Sequence, residues 1–296
     1  MAPSCSPPQF WKGEFPMIAR IALPLLVALV LPAPTAAAQR EPPCSPDTGT
    51  IVTLSLDSAV LGQTKQYNLY LPPDWCHLSD LPLLVMLHGW DGDHTDWVNQ
   101  GHIDQAADAL ILAGAIKPLI ILMPDGDNSF YVNGPLGNYE TYIVEELLSA
   151  VEAEFPTAAT RDARFIGGLS MGGYGALYLG LRHPDLFSAI GAHSPALLRP
   201  DQGPPWLYGP GQTLFQARDI VSLIDRNGWP ADTRLFVDIG ASDSLMRGVY
   251  NLFGSLFGQP LPYFEGHVWP GGHDWNYWNR HAPDYLRFYA GTSEMP

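Results

Sequence analysis

Hydrophobic positions along this chain follow three different rhythms, and each predicts a different element. Between Thr50 and Leu71 the rhythm is alternation: Ile51, Thr53 and Ser55 interleave with Val52, Leu54 and Leu56, and Gln66 to Leu71 follows after Leu61-Gly62-Gln63. That pattern predicts an antiparallel hairpin, each strand with one face turned inward. Further on, apolar residues come in unbroken runs. Leu83 to Leu87, Leu119 to Met123, Arg164 to Gly168, Ser188 to Ala192, Arg234 to Ile239 and Tyr263 to Val268 read as strands, most of them buried on both faces as in a parallel sheet. Between these runs the spacing widens to three or four residues. Ile103 to Ala113 places Ile103, Ala106, Ala107, Leu110 and Ile111 on one helical face, Thr141 to Phe155 repeats Ile143, Leu147, Val151 and Phe155, and Leu245 to Phe257 completes the set. Residues 199–213, rich in proline and glycine, read as a loop carrying Trp206 and Tyr208.

Strands alternating with helices predict an α/β protein with a mostly parallel central sheet, helices on both faces and an N-terminal antiparallel hairpin. The chain has 296 residues and 46% hydrophobic composition, enough for one such domain over 50–296. Acidic residues number 30 against 15 basic ones, for a net charge of −15, which argues against nucleic acid or an anionic membrane surface as the main partner. Ile21 to Leu31 is apolar, Arg20 precedes it and Ala36-Ala37-Ala38 follows it. This predicts a secretory signal with a start at Met17 and cleavage after Ala38, too short and too proline-broken for a membrane span. Residues 39–49 are a proline-rich lead-in. Export leaves Cys44 and Cys76 as a pair in an oxidising compartment, so a disulfide between them is expected, constraining the unfolded chain by on the order of 3–4 kcal/mol.

Chemistry concentrates at Gly168-Leu169-Ser170-Met171-Gly172, a G-x-S-x-G sequence placed where a strand must turn sharply into the helix that runs to His183-Pro184. Such an elbow exposes a strained serine at the top of the sheet, with the next amide, that of Met171, facing any charge that develops beside it. A serine hydroxyl is a weak nucleophile at neutral pH and needs a base and an orienting acid. Asp243, after the strand ending at Ile239-Gly240, and His273, after the last strand, follow the serine in the order acid then histidine. Asp238 lies within a strand, Asp225 ahead of it, His267 within the last strand and His281 beyond, so these read as structural. His88 reads as the side chain that shapes a turn presenting a second oxyanion donor, the amide of Trp90.

Five stretches in order resemble the putative-esterase family of the α/β-hydrolases: His88-Gly89-Trp90 with Asp96-Trp97, Pro124 to Ser129, Gly168 to Ala176, Gly240 to Ser244 and Gly272 to Trp278. That family groups esterase D, S-formylglutathione hydrolases, feruloyl and acetylxylan esterases, and the antigen 85 mycolyltransferases. The resemblance implies Ser170 as nucleophile, His273 as base, Asp243 as orienting acid, and the amides of Met171 and Trp90 as oxyanion hole. It implies no cofactor. An aspartate stands in the mycolyltransferases where this chain has His88, which disfavours that branch, and an export signal points to esters linked to polysaccharides. The expectation is therefore a secreted or periplasmic serine esterase acting on a small-molecule or polysaccharide-linked ester. Its alternatives are an S-formylglutathione hydrolase-like thioesterase or acyltransferase and, in another class, an exported binding domain without catalysis. The acids Asp91, Asp93, Asp96, Asp125 and Asp127 lack the spacing of a calcium loop and read as loop residues, with no metal assigned. Trp90, Trp97, Tyr131, Trp206 and Trp275 are as readily core as the lining of an aromatic cleft.

Overall fold

The structure, a computed structural model, describes residues 42–292. The predicted signal segment and the beginning of the lead-in lie outside the described residues. Eight strands form one sheet: β1 (Thr50–Ser58), β2 (Gln63–Leu71), β3 (Leu83–Leu87), β4 (Ile120–Pro124), β7 (Arg164–Leu169), β8 (Ala189–His193), β9 (Arg234–Gly240) and β10 (Phe264–Trp269), while β5 (Asn133–Gly134) and β6 (Gly137–Asn138) pair as a short separate ribbon. Across the sheet the order is β1-β2-β4-β3-β7-β8-β9-β10. β1 and β2 pair antiparallel, as the alternation predicted, and β2 joins β4 antiparallel. Every pairing from β4 to β10 is parallel. The chain thus leaves β3 first toward β4 and then returns to its other side at β7. Such a switch point opens a crevice beyond the carboxyl ends of the two strands.

Alternate residues of each central strand serve opposite layers. Leu83, Val85 and Leu87 of β3 pack into one cluster with Ile143, Tyr174, Leu223 and Val249. Leu84 and Met86 pack into the other with Ile103, Ala107, Tyr285 and Leu286. One layer is therefore built by α3 (Tyr139–Thr141) continuing into α4 (Leu148–Glu154), by α5 (Met171–Arg182), α8 (Ile220–Asn227) and α9 (Met246–Leu256). The other holds α2 (Ile103–Leu112) and α10 (Trp275–Ala290), with the short α1 (Asp96–Asn99) beside them. Among the described residues no helix is long and apolar enough to cross a membrane. Cys44 and Cys76 form the expected disulfide, which ties the lead-in to the turn after β2.

The structure departs from the pattern reading at four places. The segment predicted as a helix from Thr141 to Phe155 begins at Tyr139, and its turn Tyr142–Leu147 is π-helical. Positions spaced by four advance about 40° per step around a helix of 3.6 residues per turn. One wider turn offsets that drift, and Ile143, Leu147 and Val151 all stay fully buried. The predicted loop 199–213 contains α6 (Pro205–Tyr208), started by a proline at its first position, and it ends inside α7 (Gln212–Arg218). α7 and α8 carried no prediction. Nor did α10, 16 residues long with Pro283 inside it, held in place by burial of Tyr277, Tyr285, Leu286 and Tyr289 and not by its own propensity.

Candidate active site

Three loops meet above the carboxyl ends of the central strands. The first is the elbow between β7 and α5, where Ser170 has φ 54° and ψ −115°. Its amide donates to the carbonyl of His193 at 2.9 Å, and its carbonyl accepts from the amide of Ala196 at 2.8 Å, so the strained residue is gripped on both sides. The turn also depends on two glycines. A Cβ at Gly168 would lie 2.6 Å from the carbonyl of Gly172, and one at Gly172 would lie 2.3 Å from the carbonyl of Leu87. Neither position has room for a side chain.

The second and third loops follow β9 and β10 and are stitched together. The amide of Ala241 donates to Trp269 at 2.7 Å, that of Ser242 donates to Gly271 at 2.9 Å, and a Cβ at Gly240 would sit 2.6 Å from the Gly271 carbonyl. This close approach brings Asp243 to His273. Asp243 Oδ2 lies 2.7 Å from His273 Nδ1, and Oδ1 accepts from the Leu245 amide at 2.8 Å. His273 Nε2 in turn lies 2.9 Å from Ser170 Oγ. Burial alone would raise the pKa of Asp243, but the hydrogen bond from His273, that from the Leu245 amide and the charge of His273 outweigh it and hold the carboxyl below its ordinary value. An ionised carboxylate can only accept, so Nδ1 carries the proton and the Nε2 lone pair is left facing the serine hydroxyl.

The turn after β3 completes the setting. His88 is buried, and Gly126 donates its amide to His88 Nε2 at 2.9 Å. Nε2 is therefore the acceptor, so Nδ1 bears the hydrogen and donates it to the Gly89 carbonyl at 2.7 Å. Burial, the largest influence, depresses the pKa of this imidazole and keeps it neutral. Tyr131 donates to the His88 carbonyl at 3.0 Å. Beyond Trp90, Asp91 adopts φ 59° and is held by a reciprocal pair: its amide donates to Asn128 Oδ1 at 2.7 Å, and Asn128 Nδ2 donates to its carboxylate at 2.8 Å. Asn128 stood within a recognised stretch, yet nothing in the sequence assigned it this contact.

The remaining candidates are accounted for. Asp238 is fully buried, accepting from Tyr277 at 2.8 Å and Tyr285 at 2.9 Å and pairing with His193 Nδ1 at 2.7 Å. Replacing it with alanine leaves those groups without an acceptor and is expected to cost about 3 kcal/mol of stability, read as a lowered midpoint in urea. Asp225 lies in α8. His267 pairs with Glu265 at 3.1 Å, and His281 stacks on Trp269. Lys65 bridges Asp125 at 2.8 Å and Asp127 at 2.9 Å, Asp93 accepts from Thr95, and Asp96 from Gln100. Trp97 and Tyr131 are core, whereas Trp90 is 46% exposed.

Ser170 and His273 open into a cavity of about 460 Å³ lined by Trp90, Phe130, Met171, Leu198, Gln202, Pro204 and Leu245. Among the described residues no lysine or arginine lines it.

The family model described as Putative esterase matches residues 58–289. An acetyl esterase of Caldicellulosiruptor saccharolyticus is 27% identical over 238 residues, covering 73% of this chain and 86% of that one. An endo-1,4-beta-xylanase/feruloyl esterase of Xylanibacter ruminicola is 30% identical over 164 residues, 52% of this chain but only 23% of that longer protein. Among solved structures, a ferulic acid esterase superposes with a TM-score of 0.72 at 27% identity, covering 82% of this chain and 97% of that one.

Proposed function

Because the chain belongs to the Putative esterase family and is a carboxylic ester hydrolase, we propose that it works through a covalent acyl-enzyme on Ser170 and that its substrates are acyl or feruloyl esters of carbohydrates met outside the cytoplasm. The observation that carries the reading is the unbroken relay from Asp243 through His273 to Ser170, at 2.7 Å and 2.9 Å. His273 takes the hydroxyl proton as Ser170 Oγ attacks the ester carbonyl. Negative charge on the carbonyl oxygen is met by the amides of Met171, at the head of α5, and Trp90. The intermediate collapses, His273 gives the proton to the departing alcohol, and water repeats the sequence to release the acid.

The cavity favours an uncharged, apolar acyl group, since its walls are aromatic and aliphatic. The disulfide supports action in an oxidising compartment. The acetyl and feruloyl esterases among the relatives support a carbohydrate-linked ester as substrate. Comparing kcat/KM on methyl ferulate, acetylated xylan, p-nitrophenyl acetate and S-formylglutathione tests the reading, which fails if the thioester is the preferred substrate. A fluorophosphonate probe should label Ser170; an unlabelled serine would mark a binding domain.

Asn128 enters as a positioning residue. Its pair with Asp91 fixes the residue that follows the Trp90 amide. Losing an oxyanion donor outright costs about 10²–10³ in kcat, and loosening one should cost about 10-fold. Asn128→Ala is thus expected to lower kcat about 10-fold with KM nearly constant, as read in steady-state ester hydrolysis.

A further inference from the structure

Beyond Leu198 lies a second opening. Leu198 is a wall both of the cavity at Ser170 and of a neighbouring cleft of about 500 Å³, so the segment leading from β8 toward α6 is a partition between two spaces. The cleft lies between that partition, the junction of α7 with α8, and α9, and falls within the size range of small-ligand sites. Its depth is set by backbone. A Cβ at Gly248 of α9 would stand 2.6 Å from the Leu197 carbonyl, so only glycine lets the helix lie against the partition.

The groups facing this space define what it can hold. Tyr250 is 58% exposed and offers a ring face, and the carboxamide of exposed Asn251 stands next to it in sequence on the same helix. Phe215, from α7, adds a second apolar surface to the lining. The charged members are already matched: Arg199 pairs with Asp201 at 2.9 Å, and Asp219 caps α8 through the Ser222 amide at 2.8 Å. Neither charge calls for an ionic ligand. An open ring face beside a group that both donates and accepts suits a molecule with a C–H face and a rim of hydroxyls, which describes a neutral sugar ring.

We propose that this cleft is a subsite for a glycosyl unit on the alcohol side of the substrate, reached across Leu198 from the ester at Ser170, with Tyr250 as its stacking platform and Asn251 as its hydrogen-bonding partner. The inference rests on the carbohydrate-ester reading given above. It separates chain recognition from acyl recognition. The apolar cavity takes the acyl group, and the cleft takes the sugar chain.

The test compares two esters of one acid. Tyr250→Ala is expected to leave kcat and KM for methyl ferulate within twofold of the parent, because the side chain is exposed and touches neither the triad nor the cavity. For a feruloylated xylo-oligosaccharide, KM should rise about 5-fold to 10-fold with kcat unchanged. Asn251→Ala should shift KM in the same direction. Calorimetry on Ser170→Ala should show unesterified xylo-oligosaccharide binding that the Ser170→Ala/Tyr250→Ala double variant loses. An unchanged KM for the oligosaccharide ester in both cleft variants overturns the subsite, as does a parent KM equal for the two esters. Methyl ferulate hydrolysis, lost in Ser170→Ala, reports on the esterase chemistry separately, so failure of the subsite and failure of the catalytic reading give different results.

Discussion

Changing Ser170 to alanine is expected to lower kcat for ester hydrolysis by on the order of 10⁶-fold, the scale of nucleophile removal in other Ser-His-Asp enzymes. The fold should survive the change. Alanine keeps the Cβ that the elbow already accommodates, and the backbone grips on residue 170, from the His193 carbonyl and the Ala196 amide, do not involve the hydroxyl. The melting temperature should therefore stay within a few degrees of the parent, so that lost turnover reports on chemistry. Retention of more than about one per cent of activity in a preparation free of the parent would remove Ser170 from the mechanism.

Asp243→Asn is expected to cost on the order of 10⁴-fold in kcat at neutral pH. The magnitude follows from which atoms are already committed. Oδ1 accepts from the Leu245 amide and Oδ2 faces His273 Nδ1. An asparagine that keeps its oxygen on Leu245 must point its NH₂ at Nδ1. The imidazole then carries its hydrogen on Nε2, where it meets the Ser170 hydroxyl with a donor and cannot take the proton. Flipping the amide instead would oppose two donors at Leu245. The pH behaviour separates this from a packing defect. Because the folded pKa of Asp243 lies below its ordinary value, its ionisation contributes stability that is fully present above the unfolded carboxylate pKa of about 3.9 and lost as pH falls through the lower folded value. The parent should lose that contribution in acid, and the asparagine variant should show a flatter dependence of unfolding midpoint on pH below about 4.

How far such chemistry can be read from the order of amino acids depends on where backbone and side chain carry separate signals. β3, with five apolar residues in a row, and the elbow, with glycines two residues either side of Ser170, declared themselves because burial and steric crowding act directly on residue type. Ser170, Asp243 and His273, which the structure brings together, could be picked out because each follows a legible strand. α10 was not legible. Its Trp, Tyr, His and Asn residues have mediocre helix propensity, Pro283 interrupts the pattern, and packing against α2 and the sheet decides the matter. Asn128 was hidden for a different reason. Its partner Asp91 is 37 residues away, and a reciprocal amide–carboxylate pair leaves no periodic trace. Gln202 and Pro204 of the cavity wall lie on a segment whose proline and glycine content announced a loop and nothing about what the loop encloses.

Ser170 and His273 stand 103 residues apart, and the histidine loop follows β10, which pairs only with β9 at the edge of the sheet. The proposed nucleophile thus precedes its proposed base by most of the second half of the sheet. On the proposed mechanism, hydrolysis therefore waits for the last strand of the sheet to be in place.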